Sequence, residues 1–177
     1  MRLFIATDLP EPVRNRFARL RSDIPGTRWV APEQLHLTLA FLGEVDASGC
    51  EQLQAELAKI EADSFTLHFG RTGCFPHPRN PRVLWIGLRP EPSLLRLAQL
   101  VREAVLLRGI PQEEHPFTPH ITLARCRQSA VKEVGSFLAR QTGLEGEAVM
   151  VREFILFQSV LTVKSALHTP LKRFPLQ

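Results

Sequence analysis

Two four-residue words constrain this chain more than any other feature of its 177 residues: His36-Leu37-Thr38-Leu39 and His120-Ile121-Thr122-Leu123. Each lies in a run of strand-forming residues, and strand side chains alternate between faces. His36 and Thr38 therefore share one face, as do His120 and Thr122, while Leu37, Leu39, Ile121 and Leu123 point the other way, into a core. Each copy presents an imidazole and a hydroxyl about 7 Å apart along the strand on an apolar support. A lone strand histidine is most often structural. Recurrence of the whole word predicts a duplicated half-site whose two histidines meet in one cleft.

The flanking segments repeat as well. Leu3–Thr7 reads as a buried strand, and Pro10 and Pro12 open a helix with Val13, Phe17 and Leu20 at helical spacing. Trp29-Val30 is a short strand ahead of the first motif strand, which Gly43 ends. Ser48-Gly49-Cys50-Glu51 has capping-box spacing, and Cys50, Leu53, Leu57 and Ile60 form the apolar stripe of a second helix running to about Ala62. Ser64–Phe69 alternates as a strand. A proline-stiffened loop, Phe75–Pro81, leads into a strand at Arg82–Leu88. A helix from Pro92 carries Leu94, Leu97, Val101 and Val105 on one side and ends at Gly109 and Pro111. After the second motif strand, Val131, Val134 and Leu138 mark a fourth helix. Long apolar strands fill Val149–Val163, and a last strand spans Ala166–Pro170.

Strand, helix, motif strand, helix, strand thus occurs twice, at roughly 1–70 and 82–160. The expectation is a single α+β domain over 1–177 with two lobes related by a pseudo-twofold axis. Each lobe is a largely antiparallel sheet with outer helices, and the groove between them holds the motif strands.

Composition narrows the setting. Cys50, Cys74 and Cys126 are odd in number, far apart and without a CxxC pair, which argues for a reducing compartment and against a disulfide framework. Met1–Asp8 reads as a first strand and not as a signal peptide, and no apolar run approaches the roughly 18 residues of a membrane span. A cytoplasmic monomer is expected, with no membrane partner. The net charge of +4 and the pI near 9.4 permit a phosphate-bearing partner. Eighteen of the 22 basic residues are arginine, which suits bidentate phosphate contacts but also fits a merely Arg-rich composition.

Two histidines titrating near neutrality can work with one neutral and one protonated. The neutral ring takes a proton from a nucleophile and the charged ring gives one to a leaving group. Threonine hydroxyls beside them can donate to anionic oxygens as charge grows. This set fits displacement at a phosphodiester. A catalytic zinc is the rival reading, but neither word has a second histidine or an acidic residue at ligand spacing. No metal and no cofactor is expected. Glycine-rich phosphate and dinucleotide fingerprints are absent from the sequence.

The paired words resemble the two-histidine phosphoesterase superfamily, and within it the bacterial and archaeal RNA 2′,3′-cyclic phosphodiesterases, also called 2′–5′ RNA ligases. The likeness runs along nearly the whole chain: Arg2–Ala6, Trp29-Val30, His36–Gly43, Pro81–Gly87, Pro119–Arg125 and Thr169–Leu176. It implies metal-free hydrolysis of a terminal 2′,3′-cyclic phosphate on RNA or a nucleotide to a 2′-phosphate, and a reversible 2′–5′ joining activity. It also implies His36 and His120 as catalytic residues, with Thr38, Thr122 and Arg125 on the substrate phosphate.

Strict alternation from His120 puts Arg125 on the Leu123 face, so a β-bulge or a strand end is needed to turn it inward. Ser165 and His168 stand where such proteins commonly have Gly and Tyr, and His168 is expected at the surface. Arg82 could approach the groove, Phe75 or His77 could stack a base, and His115 belongs to an exposed loop. A nucleotide- or RNA-binding module using the same cleft without turnover is the alternative of a different class.

Overall fold

The two motif words become neighbouring strands at the centre of one sheet. The computed structural model describes residues 1–112, 114–127, 130–140, 146, 148–162 and 166–177. Among them the first half supplies β1 (Arg2–Asp8), α1 (Glu11–Ala18), β2 (Thr27–Trp29), β3 (His36–Glu44), α2 (Ala47–Leu57) and β4 (Phe65–His77). The second supplies β5 (Asn80–Leu88), α3 (Pro92–Leu107), β6 (His120–Cys126), α4 (Val131–Arg140), β7 (Ala148–Val151), β8 (Glu153–Leu161) and β9 (Ala166–Pro175). The strand order is β7-β4-β5-β6-β3-β1-β8-β9, antiparallel throughout, with β2 added to β6.

β3 and β6 meet at a single register pair, Leu37 with Ile121. The strands part beyond it, and β2 takes the place beside β6 through Thr27–Cys126, Arg28–Arg125 and Trp29–Ala124. This parting opens the groove and divides the sheet into two lobes, β3-β1-β8-β9 and β6-β5-β4-β7. The lobes are not simply the two sequence repeats. The last strand of each repeat crosses over: β4 pairs with β5 and β8 pairs with β1. An unpaired strand edge seeks a partner, and here each half supplies the strand that covers the other's.

The helices cover the sheet face opposite the groove. Leu37, Leu39, Ile121 and Leu123 are buried there with Phe17, Leu53, Leu57, Leu97, Val101 and Val134. The Phe17 and Phe69 rings meet edge-on at 4.8 Å. Full burial of each such side chain is worth about 1.5–3 kcal/mol, so the motif strands are anchored by their back faces. The three cysteines are buried and free.

Some local expectations change. α2 begins one residue before Ser48, because the Asp46 carboxylate accepts from the Gly49 N–H at 2.6 Å and caps the helix itself. An anionic cap also meets the positive end of the helix dipole. The helix ends at Leu57 and not near Ala62. The proline-rich stretch is not a loop: Pro76 faces Pro81 and His77 faces Asn80 in a hairpin whose turn is Pro78-Arg79. β9 runs on through Pro170 to Pro175, because an edge strand tolerates prolines that cannot donate to a ladder. Val163 and Ser165 lie outside the described residues. Gly43 ends the regular part of β3 at φ +67°, a conformation glycine adopts without strain.

Candidate active site

Both motif strands carry the same irregularity. Ile5 pairs with Ala40 but Ala6 with Thr38, so Leu39 is an extra residue in β3. Leu84 pairs with Ala124 but Trp85 with Thr122, so Leu123 is the extra residue in β6. Each bulge buries two consecutive residues, Leu39-Ala40 and Leu123-Ala124, and resets the alternation behind them. The groove face of β3 therefore reads His36, Thr38, Phe41, and that of β6 reads His120, Thr122, Arg125. This is the bulge that Arg125 required, and Arg125 lines the central cavity.

The Leu37–Ile121 pair fixes how the words face each other. One residue either way, His36 falls opposite Thr122 and Thr38 opposite His120. Directly opposed Cβ atoms stand about 4.5–5.5 Å apart and diagonal ones about 7–8 Å. The histidines occupy one diagonal of this pairing and the threonines the other.

The two imidazoles are held alike. His36 Nδ1 lies 2.7 Å from the Gln34 carbonyl oxygen, and His120 Nδ1 lies 2.7 Å from the Thr118 carbonyl oxygen. A carbonyl only accepts, so each Nδ1 carries the proton and Nε2 is the working nitrogen. It accepts a proton when the ring is neutral and donates one when the ring is charged. His36 stacks on Phe4 at 4.9 Å. His120 stands edge-on to Phe75 at 5.0 Å, and Phe75 packs on Trp85 at 5.1 Å. The Trp85 indole occupies the space above Gly73, where a Cβ would come within 2.2 Å of the ring.

Burial, with the nearby His168 as second cause, lowers the pKa of His36 from 6.5 to about 4. The Gln34 carbonyl and Asp8 oppose the shift without cancelling it. His168 is not a surface bystander, contrary to the sequence expectation. Its ring meets His36 at 5.4 Å and Phe4 at 4.8 Å, and burial lowers its own pKa. β9 carries it there by pairing with β8, the strand that crossed into this lobe; Ser159 is its register partner.

A cavity of about 480 Å³ opens at the centre, lined by His36, Thr38, Thr122, Arg125, Arg28 and His168 among others. His120 stands beside this cavity and not in its lining. The remaining sequence candidates lie outside it. Arg82 donates to the Arg127 carbonyl oxygen, His77 Nδ1 accepts from the Arg79 N–H, and His115 is exposed. Among the described residues, no group of three or more His, Cys, Asp or Glu is placed to hold a metal, and no helix is long and apolar enough to cross a membrane.

Known proteins share this plan. The family model for LigT-like phosphoesterases matches residues 7–85 and again 86–168. An RNA 2′,3′-cyclic phosphodiesterase of Archaeoglobus fulgidus is 33% identical over an alignment of 177 positions that covers 98% of this chain and 99% of its own. One of Escherichia coli is 36% identical over 179 residues, covering 99% of this chain and 96% of that protein. Among solved structures, E. coli LigT complexed with 3′-AMP matches with a TM-score of 0.82 at 34% identity, covering 99% of this chain and 97% of that one. A Thermus thermophilus protein of known structure, TT0787, matches at 0.81 and 36% identity, with coverages of 99% and 97%.

Proposed function

The chain belongs to the LigT-like phosphoesterase family and is an enzyme of the RNA 2′,3′-cyclic phosphodiesterase kind, and we propose that it opens a terminal 2′,3′-cyclic phosphate to a 2′-phosphate with His36 and His120 as its proton-transfer pair. The observation that carries this reading is the matched pair of bulged strands. Each presents an imidazole with Nδ1 tied to a carbonyl and Nε2 free, beside a threonine hydroxyl. A binding module has no need of two imidazoles fixed in this way.

His120 takes a proton from water as its oxygen attacks phosphorus. The bond from phosphorus to the 3′-oxygen breaks, and His36 gives that oxygen its proton. Water is added across the ester, and a 2′-phosphate with a free 3′-hydroxyl remains. Thr38 and Thr122 donate to the non-bridging oxygens, and Arg125 neutralises their charge. Burial keeps His36 neutral in the empty site at neutral pH, so the acid is charged as the anionic phosphate enters and supplies the compensating charge. A 5′-hydroxyl in place of water gives a 2′–5′ linkage by the same transfers, and that is the proposed joining reaction. Because the lobes exchange strands, the chain works as one unit over 1–177.

His36→Ala and His120→Ala should each lower turnover of a 2′,3′-cyclic phosphate by about 10²–10⁴. The double variant should cost little more than either alone, because the two groups act together. A substrate with a much better 3′ leaving group should rescue His36→Ala and not His120→Ala. Rescue of His120→Ala instead reverses the roles. Near-full activity in both single variants refutes the mechanism.

A further inference from the structure

The pseudo-twofold match of the two half-sites runs through three strands and fails at the fourth. Outward from the groove, β3 brings His36, β1 brings Phe4 and β8 brings Phe157, while β6 brings His120, β5 brings Trp85 and β4 brings Phe75. Each imidazole thus has a ring beside it from each of the next two strands, at 4.9 and 6.5 Å for His36 and at 6.4 and 5.0 Å for His120. The fourth strands differ. β7 has four residues and pairs with the start of β4, Phe65–His68, so it stops short of Phe75. β9 follows β8 as far as Leu161 and sets His168 opposite Ser159. The His168 ring then meets His36 edge-on at 5.4 Å and 72°, and Phe4 at 4.8 Å and 67°. Among the described residues no third ring meets His120.

His168 also lines the central cavity, with Ser159, Leu161 and Ala166 of the same β8–β9 hairpin. The hairpin is tied to the turn that orients His36: the Gln34 side-chain amide donates to the Ala166 carbonyl oxygen, and the Gln34 carbonyl holds His36 Nδ1. A ring fixed in this way stands where water would otherwise solvate its neighbour, and loss of water disfavours the charged form. Burial is the largest cause of the lowered pKa of His36, and His168 is the second. Burial also holds His168 below its ordinary value, so at neutral pH it covers His36 as an uncharged ring. Asp8, the register partner of His36 on β1, acts in the opposite direction and is itself paired with Arg14 of α1. The cavity lining adds Arg125 of β6, Arg28 of β2 and Arg2 of β1, while Phe157 and Ser159 of β8 bring no charge.

We propose that His168 is a positioning residue for the phosphodiester reaction: by closing a side of His36 that no ring closes at His120, it makes His36 the acid of an otherwise matched pair. This rests on the two-histidine reading above and supplies the asymmetry that such a reading needs. Two like groups take the parts of acid and base when their surroundings differ. A covered imidazole resists its proton. Once an entering phosphate has charged the ring, the covered one therefore gives that proton to the departing oxygen more readily than a solvated one. His168 acts through His36 and need not touch the reacting atoms.

The test compares wild type with His168→Ala, which uncovers His36, and His168→Phe, which keeps a ring there without a titrating group. The His36 ring protons are followed by NMR against pH in the whole protein and assigned by their loss in His36→Gln. His168→Ala should raise the His36 midpoint from about 4 towards 6.5, by about one pH unit or more, and His168→Phe should raise it by clearly less. On adenosine 2′,3′-cyclic phosphate at pH 7, His168→Ala should lower kcat by about three- to tenfold. KM should not rise, because a ring that charges more readily meets the phosphate at least as well. His168→Phe should recover most of the lost kcat. Damage to the fold alone would raise KM and leave the His36 midpoint in place. An unmoved midpoint in His168→Ala, equal movement in both variants, or a raised KM with kcat unchanged overturns the proposal. If wild type does not turn over the cyclic phosphate, the activity reading has failed, and the midpoints alone decide whether His168 governs His36.

Discussion

Protonating His36 in the folded protein works against folding, and the size of that effect can be stated. Its pKa is about 4 when folded and 6.5 when free. Above 6.5 the ring is neutral in both states and the site costs nothing. As the pH falls below 6.5 the unfolded chain binds the proton first, and stability is lost until the folded ring also titrates near pH 4. The whole gap corresponds to roughly 3 kcal/mol, and about 2 kcal/mol of it is lost between pH 7.5 and pH 5. A domain stable by about 5–15 kcal/mol feels this plainly. Urea unfolding of wild type and His36→Gln at the two pH values isolates the term, because the carboxylates titrate alike in both proteins. Wild type should lose about 2 kcal/mol more than the variant on acidification. Equal losses would mean that the ring is solvated in the folded protein, and the charge-on-binding account of His36 would fall with it.

Three further outcomes follow from the site. Sulfate, which does not titrate in this range, should bind at pH 7 with net proton uptake in wild type and without it in His36→Gln, read by calorimetry in buffers of different ionisation enthalpy; absence of uptake in wild type refutes His36 as the acid. Gly73→Ala should push the Trp85 indole off its seat and with it Phe75 and His120, costing about 1–3 kcal/mol in stability and lowering kcat more than it raises KM; unchanged kcat would show that the aromatic shelf does not position His120. Exhaustive chelation should leave hydrolysis of a 2′,3′-cyclic phosphate intact, and recovery of lost activity on adding zinc or manganese would refute a metal-free reaction.

The words themselves were legible because a strand has period two: one imidazole, one hydroxyl and two apolar neighbours suffice to define a face. The antiparallel lobes and the helix stripes were legible for the same local reason. The exchange of β4 and β8 between the lobes was not, because strand edges look alike in sequence until every partner is counted. His168 was misjudged for a related reason. It lies on an edge strand with no local apolar pattern, and its place beside His36 is set by the β8–β9 pairing and by the crossing of β8 to β1. The Arg-rich composition suited phosphate contacts but fitted a plain compositional bias equally well, and it gave no means to say which arginines face the groove.

The bulges are the instructive case, since their signal was present and strict alternation obscured it. Both words continue with an apolar pair where alternation demands a change of face: Leu39-Ala40 before Phe41, and Leu123-Ala124 before Arg125. Without a slip, the ladder would drive a guanidinium into the core beneath β6, and an unpaired buried charge is among the costliest errors a fold can make. A bulge leaves one residue out of register and returns the arginine to the groove. The same slip in β3 rescues no charge. Its product is Phe41, a ring 66% exposed on the cavity wall. The slip also takes Leu42 into the core at 6% exposure, so the buried face trades one large apolar side chain for another while the ring goes to the cavity wall. One shared slip thus keeps Arg125 out of the core in one half and sets Phe41 on the cavity wall in the other.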